Sequence, residues 1–426
     1  MILGVAIVSL ILVLARWAAE LWLSCLNERH VRAHGGSVPG PFLGVIDEST
    51  YRKSVEYTLA RSRFSKWVDT FDTLLLLTVL FSGILPWSFS QTATRFGESI
   101  WVMAAFLFAV GITLSVPGLP FDWYAQFRLE ERFGFNTTTM KTWLVDRVKG
   151  LLLAALLGYP LLALLLKVIE WTGSSWWLWA WGIFVAFQLL LMLLAPALIM
   201  PLFNKFTPLP DGPLRERLFG LAKRTGFPTR SIDVMDGSKR SRHSNAFFTG
   251  FGRLRKIVLF DTLVAQLTEP ELEAVLAHEI GHYRKRHIAK LLGVSVLGTF
   301  VAFAAIAWLA RQDSFYRAFG FVPEQSFAPA AIVPAMLLFA LLAGAVSFWL
   351  TPLVNIWSRR FEYEADAYAR GVMSEAQSLI GALRKLNEKN LSNLTPHPLY
   401  SGFYYSHPTL LERERALNAL SSACRT

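Results

Sequence analysis

Cysteine is nearly absent: only Cys25 and Cys424 occur in 426 residues. Two thiols so placed suggest no disulfide framework. Charge is also scarce, at 17% of residues, against about 25% in a soluble globular chain. Histidine occurs only eight times, so any patterned histidines carry weight. There is no internal repeat and no low-complexity tract. The net charge of +11 comes with no nucleic-acid-binding motif, so neither nucleic acid nor a soluble globular class explains this composition.

What fills the gap is hydrophobic sequence, 53% of the chain. Runs of about 20 apolar residues can cross a bilayer. Seven such spans are expected, at 2–23, 71–90, 101–119, 151–171, 176–203, 288–309 and 328–357. Pro334 and Pro352 predict a kink or tilt in the last one. The first run has no basic stretch ahead of it and no clear small-residue cleavage site, so it reads as a retained anchor. Cys424 lies one position short of a prenylation box, so the chain is not expected to carry a prenyl group itself.

The basic residues alternate between loops. Arg29, Arg32, Arg52, Lys53, Arg61, Arg63 and Lys66 follow the first span, whereas 91–100 holds only Arg95. Arg128, Arg132, Lys141, Arg147 and Lys149 follow the third; 173–175 has none. The 205–287 segment and the tail after Arg359 are basic again, and the loop between the sixth and seventh spans holds only Arg311 and Arg317. This alternation places the N-terminus outside and the basic segments in the cytosol. The chain divides into a membrane region 1–204, a cytosolic segment 205–287, two spans in 288–357 and a cytosolic tail 358–426. Arginine outnumbers lysine and the loops are compact, which leans toward a bacterial inner membrane, or the endoplasmic reticulum if the source is eukaryotic.

One motif stands out: His278-Glu279-Ile280-Gly281-His282, reading H-E-x-x-H. It follows a helix-forming run whose entry, Thr268-Glu269-Pro270-Glu271, has the form of a capping box. Histidines four apart share a helix face and can bind one metal ion, with Glu279 turned aside toward a metal-bound water. A catalytic zinc needs a third protein ligand and an open position. Glu362 and Asp366 are four apart just beyond the last span. Glu362 is the expected ligand, and Asp366 the group that orients a ligand imidazole. Glu364 points elsewhere. His407, held before Pro408, is a candidate donor to an oxyanion. His287 falls off the metal face and reads as an interfacial residue near the membrane. Strands are expected at 232–235, 245–249 and 256–260, with turns at Asp236-Gly237 and Gly250-Phe251-Gly252. An exposed strand beside the motif helix could hold an extended peptide by its backbone.

Taken together, the chain resembles the integral-membrane CAAX prenyl proteases of type 1, zinc endopeptidases of the gluzincin group. The resemblance rests on Pro201 to Leu209, His243 to Gly252, Ile257 to Leu263, His278 to His282, Glu362 to Asp366, Pro396 to Tyr400 and Ser406-His407-Pro408, with Phe133 to Asn136 upstream. Tyr404 departs from it, standing where a histidine is expected. The resemblance implies an all-α multi-pass membrane protein, with about seven transmembrane helices around a chamber and a catalytic region containing a small β-sheet. It implies one Zn2+ per chain on His278, His282 and Glu362. Catalysis would fall to Glu279, Asp366 and His407, and substrate binding to Asn245, Ala246 and Phe247. The substrate it implies is a prenylated CAAX protein or peptide, approached from the bilayer. Other readings are a membrane quality-control metalloprotease without lipid specificity, a non-catalytic zinc-binding scaffold, and a transporter. The scaffold is disfavoured because structural zinc sites usually close with cysteine. The transporter is disfavoured because the acidic and histidine cluster lies beyond the spans.

Overall fold

A computed structural model describes residues 1–249, 255–323, 328–373 and 375–423. The turn expected at Gly250-Phe251-Gly252 lies outside them. Two long helices, α1 (Ile2–His34) and α2 (Glu48–Phe81), pack side by side. α2 then turns by 54° into α3 (Ile84–Phe96). The cause is local: Gly83, between them, has φ 79°, a left-handed conformation that glycine adopts without strain. The span expected at 71–90 therefore straddles a bend and does not form one straight helix.

α4 (Ile100–Glu130) follows, then a 64-residue helical stretch, α5 (Met140–Phe203). α5 is far longer than a bilayer requires. It is broken at Gly173, with φ 53° and ψ −125°, and the helical segments before and after this break pack on each other. α6 (Pro213–Arg224) lies between the first two strands of a small sheet, and α7 (Glu269–Arg284), α8 (His287–Leu309) and α9 (Pro329–Met373) follow the last strand. Pro334 lies inside α9, and a 3₁₀ turn at Phe348–Leu350 precedes Pro352. α10 (Gln377–Lys389), α11 (Pro398–Tyr404) and α12 (Leu410–Ala423) complete the chain. Among the described residues, five helices are long and apolar enough to cross a membrane, or six with the bent α2–α3 pair. Leu156, Trp171 and Trp179 are more than half exposed. On a soluble surface these side chains would be costly, whereas facing lipid they are at home. The architecture is that of a mainly helical, multi-pass membrane protein with one small mixed sheet.

The sheet has four strands in the order β1 (Phe206–Pro208), β2 (Ser231–Met235), β4 (Lys256–Phe260), β3 (Ala246–Thr249). β1 and β2 are antiparallel, β2 and β4 parallel, and β4 and β3 antiparallel. β1 was not foreseeable, because three residues ending in proline show no periodicity. β3 lies at an edge. Asn245 precedes it, and its carbonyl accepts from the Phe260 amide at 3.1 Å.

Beneath the sheet lies a hydrophobic core separate from that of the membrane helices. It draws on Leu218 and Leu221 of α6, Ile257 and Leu259 of β4, Leu272 and Ile280 of α7, Ala369 of α9 and Leu379 of α10. The two polar parts of the sequence thus share one core although two spans separate them. α7 begins with the expected capping box, Thr268 with Glu271. Glu271 also accepts from Lys385 Nζ at 2.7 Å, tying α10 to α7. α7 and α9 touch at Gly281, where an added Cβ would lie 3.0 Å from the Ala365 Cα and 3.1 Å from its carbonyl oxygen. A side chain at 281 would push the two helices apart; the glycine lets the face bearing His278 and His282 approach the face bearing Glu362.

Candidate metal centre and active site

At this α7–α9 contact, His278, His282 and Glu362 each offer one ligand atom, and these atoms lie within 4.8 Å of one another. The separations are more telling than that limit. His278 Nε2 lies 3.2 Å from His282 Nε2, and 3.5 Å from Glu362 Oε2. His282 Nε2 lies 3.3 Å from Glu362 Oε1. Donors placed tetrahedrally about 2.0–2.1 Å from a zinc ion would be roughly 3.3 Å apart. Oε2 of Glu362 is buried and meets no donor at hydrogen-bond angles. His407 Nδ1 comes within 2.9 Å of it, but as a charge contact rather than an aligned hydrogen bond. A buried carboxylate oxygen of this kind, beside two imidazole nitrogens, fits a divalent cation.

Each imidazole is oriented from behind. His278 Nδ1 lies 2.8 Å from Asp366 Oδ1, which leaves Nε2 facing the cluster. Asp366 is itself held by Arg413, with Nε 2.8 Å from Oδ2 and Nη2 2.6 Å from Oδ1. All three residues are buried. Burial alone would lower the pKa of His278, but Asp366 and Glu362 outweigh it and raise it to about 9. This corner therefore favours positive charge. Burial pushes the Glu279 carboxyl up, opposed by His278 and His282. A carboxylate raised in this way is a better proton acceptor than a solvated one.

The second histidine has an unexpected partner. His282 Nδ1 lies 2.9 Å from His287 Nδ1, and His287 Nε2 lies 3.1 Å from Glu364 Oε2. His287 stacks on Phe361, with ring centroids 4.2 Å apart, and is 1% exposed. The expectation of an interfacial residue was therefore wrong: His287 is buried behind a metal-ligand candidate, and Glu364 acts on the site through it. With the proton of His287 on Nε2 and given to Glu364, its Nδ1 accepts from His282 Nδ1–H. Such supporting partners typically contribute 10–100-fold in metal affinity. His287→Phe keeps the stack and removes both bonds. It is expected to weaken metal binding by about 10–100-fold, as measured by competition with a chelator; unchanged affinity would remove the relay.

His407 is brought to the cluster from the tail. The segment before it is pinned to α9: Asn355 Nδ2 donates to the Phe403 carbonyl at 2.7 Å, and Arg359 Nη1 to the Tyr405 carbonyl at 2.6 Å. His407 keeps 66% of its side chain exposed while touching Glu362. Tyr404 packs its ring on Tyr400 at 4.9 Å. On the other flank, the outer edge of β3 is free of strand partners among the described residues. Asn245 Oδ1 accepts from the Ala246 amide at 2.8 Å, while Ala246 and Phe247 are partly exposed along that edge. Of the groups that complete the site, sequence reasoning missed His287, Arg413, Asn355 and Arg359.

Comparison with known proteins gives the family. A family profile described as CAAX prenyl protease N-terminal, five membrane helices, matches residues 27–205. That of peptidase family M48 matches residues 208–421. CAAX prenyl protease 1 of Saccharomyces cerevisiae is 40% identical over 402 residues, covering 88% of this chain and 87% of its own. The human CAAX prenyl protease 1 homolog is 33% identical, with 95% of this chain and 94% of its own covered. The crystal structure of S. mikatae Ste24p aligns with a TM-score of 0.88 at 37% identity, over 97% of this chain and 98% of that one. The chain belongs to the CAAX prenyl protease 1 branch of peptidase family M48 and is a membrane metalloendopeptidase.

Proposed function

We propose that the chain is a zinc endopeptidase that cuts near the C-terminus of prenylated CAAX proteins or peptides. The observation that carries this reading is the trio of His278, His282 and Glu362, the first and last of them buried, at tetrahedral spacing beside an edge strand open to a peptide. These three residues would hold a zinc ion, which would supply Lewis acidity to a water and to the scissile carbonyl. The chain's own groups do the rest. Glu279 takes the water's proton and delivers it to the leaving amine. Asp366 keeps Nε2 of His278 directed at the site, and His407 donates to the oxygen on which negative charge develops. Asn245, Ala246 and Phe247 align the substrate backbone along β3.

Segments 205–287 and 358–426 form one split catalytic domain, supported by the shared core beneath the sheet. With the basic segments in the cytosol, this domain faces the cytosol and the N-terminus lies outside. The membrane is a bacterial inner membrane or the endoplasmic reticulum. Counting the two arms of α5 separately and α2–α3 as one gives seven spans. Single cysteines placed between 91 and 100 and in the 358–426 tail should then react with an impermeant reagent from opposite sides of sealed vesicles. Labelling from the same side would remove the seven-span topology.

α7 leads directly into α8 through Lys285 and Arg286, so the site lies at the membrane boundary, where a lipid-bearing peptide is concentrated. A farnesylated CAAX peptide should be cleaved with about 10-fold or greater kcat/KM than its unmodified twin, since burying even a few methylenes is enough for that. Equal rates would favour the quality-control reading, which the side-chain-tolerant backbone pairing along β3 also suits, and would leave the metal chemistry standing.

A further inference from the structure

Beside the metal cluster lies a cavity of about 780 Å³ that has His407 and Arg413 in its wall. Its chemistry is one-sided. Amides and hydroxyls from Asn387, Asn390, Asn393, Tyr400 and Tyr405 dominate, and neither Asp nor Glu lines it. The carboxylates tied to the wall stand behind it and are already engaged: Glu130 by the Tyr57 hydroxyl at 2.7 Å and His243 Nε2 at 3.4 Å, Asp69 by the Ser65 hydroxyl at 3.2 Å, and Glu412 by the Thr409 hydroxyl at 2.8 Å. Two arginines reach the cavity. Arg413 is committed to Asp366 through two bonds. Arg61 sits over the Tyr57 ring at 5.4 Å and forms no ion pair among the described residues. A polar cavity with a guanidinium free of ion pairs in its wall suits a ligand with one negative charge and several peptide groups.

The strand direction says which end of a peptide arrives there. Antiparallel pairs are the commoner and slightly more stable form. A peptide added antiparallel to the free edge of β3 runs with its C-terminal end toward Asn245 and His243, at the start of the strand. His243 is in the cavity wall. A peptide end of about three residues extends roughly 10 Å, a length that a cavity of this size accommodates.

We propose that this cavity is the subsite for the C-terminal side of the peptide, and that Arg61 receives its free α-carboxylate. This rests on the endopeptidase reading above and deepens it: the enzyme would measure its cut from the chain end. Arg61 binds substrate and takes no part in the bond cleavage.

The test uses the full-length enzyme and four peptides of one sequence, farnesylated or unmodified, each as free acid and as C-terminal amide. For the wild type, amidation should raise KM by about 10–100-fold with little change in kcat, as expected for loss of a charge-assisted bond. Arg61→Gln should raise KM for the acid by a similar factor and leave the amide unchanged, and Arg61→Lys should recover part of the loss. Equal handling of acid and amide by the wild type overturns the subsite. So does an Arg61→Gln variant that weakens both forms alike, because a merely structural role would do that. The farnesyl comparison tests the substrate reading separately, since the acid preference is read within either pair.

Discussion

Glu279→Gln should retain its metal and lose on the order of 10³–10⁴-fold in turnover. Its carboxylate is not among the three groups at ligand spacing, so the donor set survives the change. Gln is isosteric, so the α7–α9 contact at Gly281 is not disturbed. What disappears is the Glu279 carboxyl, which burial raises beside the histidine pair. Metal content per chain and initial rates on one peptide would be measured on the same preparation. His278→Ala is the contrast, losing both metal and rate. A Glu279→Gln enzyme with full metal and near-normal turnover would mean that another group takes the proton.

The parts of this site that a sequence can show are those set by local geometry. H-E-x-x-H marks two candidate ligands because i and i+4 share a face, and the same spacing paired Glu362 with Asp366. The capping box at Thr268 was legible for the same reason. His287 was not. Five positions past His282 on a continuous helix, it would sit about 140° around the axis. The helix does not continue, because Arg286 has φ 56°. That left-handed residue ends α7 and restarts the chain as α8, swinging His287 back behind His282. The bend at Gly83 escaped notice for a similar reason: one glycine in an apolar run leaves the hydropathy unchanged, whereas the break at Gly173 falls in the loop expected between the spans 151–171 and 176–203. Arg413 lies in Glu412-Arg413-Glu414-Arg415, which reads as a solvated charged stretch, and only packing shows that its two central members are buried. The bidentate bond from Arg384 to Glu414, at 2.7 and 2.8 Å, fixes that register.

Arg413→Met is the second change with a large expected effect, and it acts on stability as well as on the metal. Asp366 is 1% exposed, and Arg413 donates to both of its oxygens, with His278 Nδ1 as its other charged neighbour. Removing the guanidinium strands a buried carboxylate, which typically costs about 3–5 kcal/mol. Thermal unfolding in detergent should therefore shift well below that of the parent. The carboxylate can escape the cost only by taking up a proton, and a neutral Asp366 orients His278 Nδ1–H less firmly. Metal affinity should then fall by about 10–100-fold, as for other supporting partners of ligand histidines. The double change Asp366→Leu with Arg413→Met separates the two consequences. It removes both charges, so most of the lost stability should return, whereas His278 still lacks its partner and metal affinity should remain low. An Arg413→Met protein with the parent's melting temperature and metal affinity would show that the Arg413–Asp366–His278 chain does not hold the site. A double variant that recovered affinity along with stability would show that Asp366 serves packing rather than the orientation of His278.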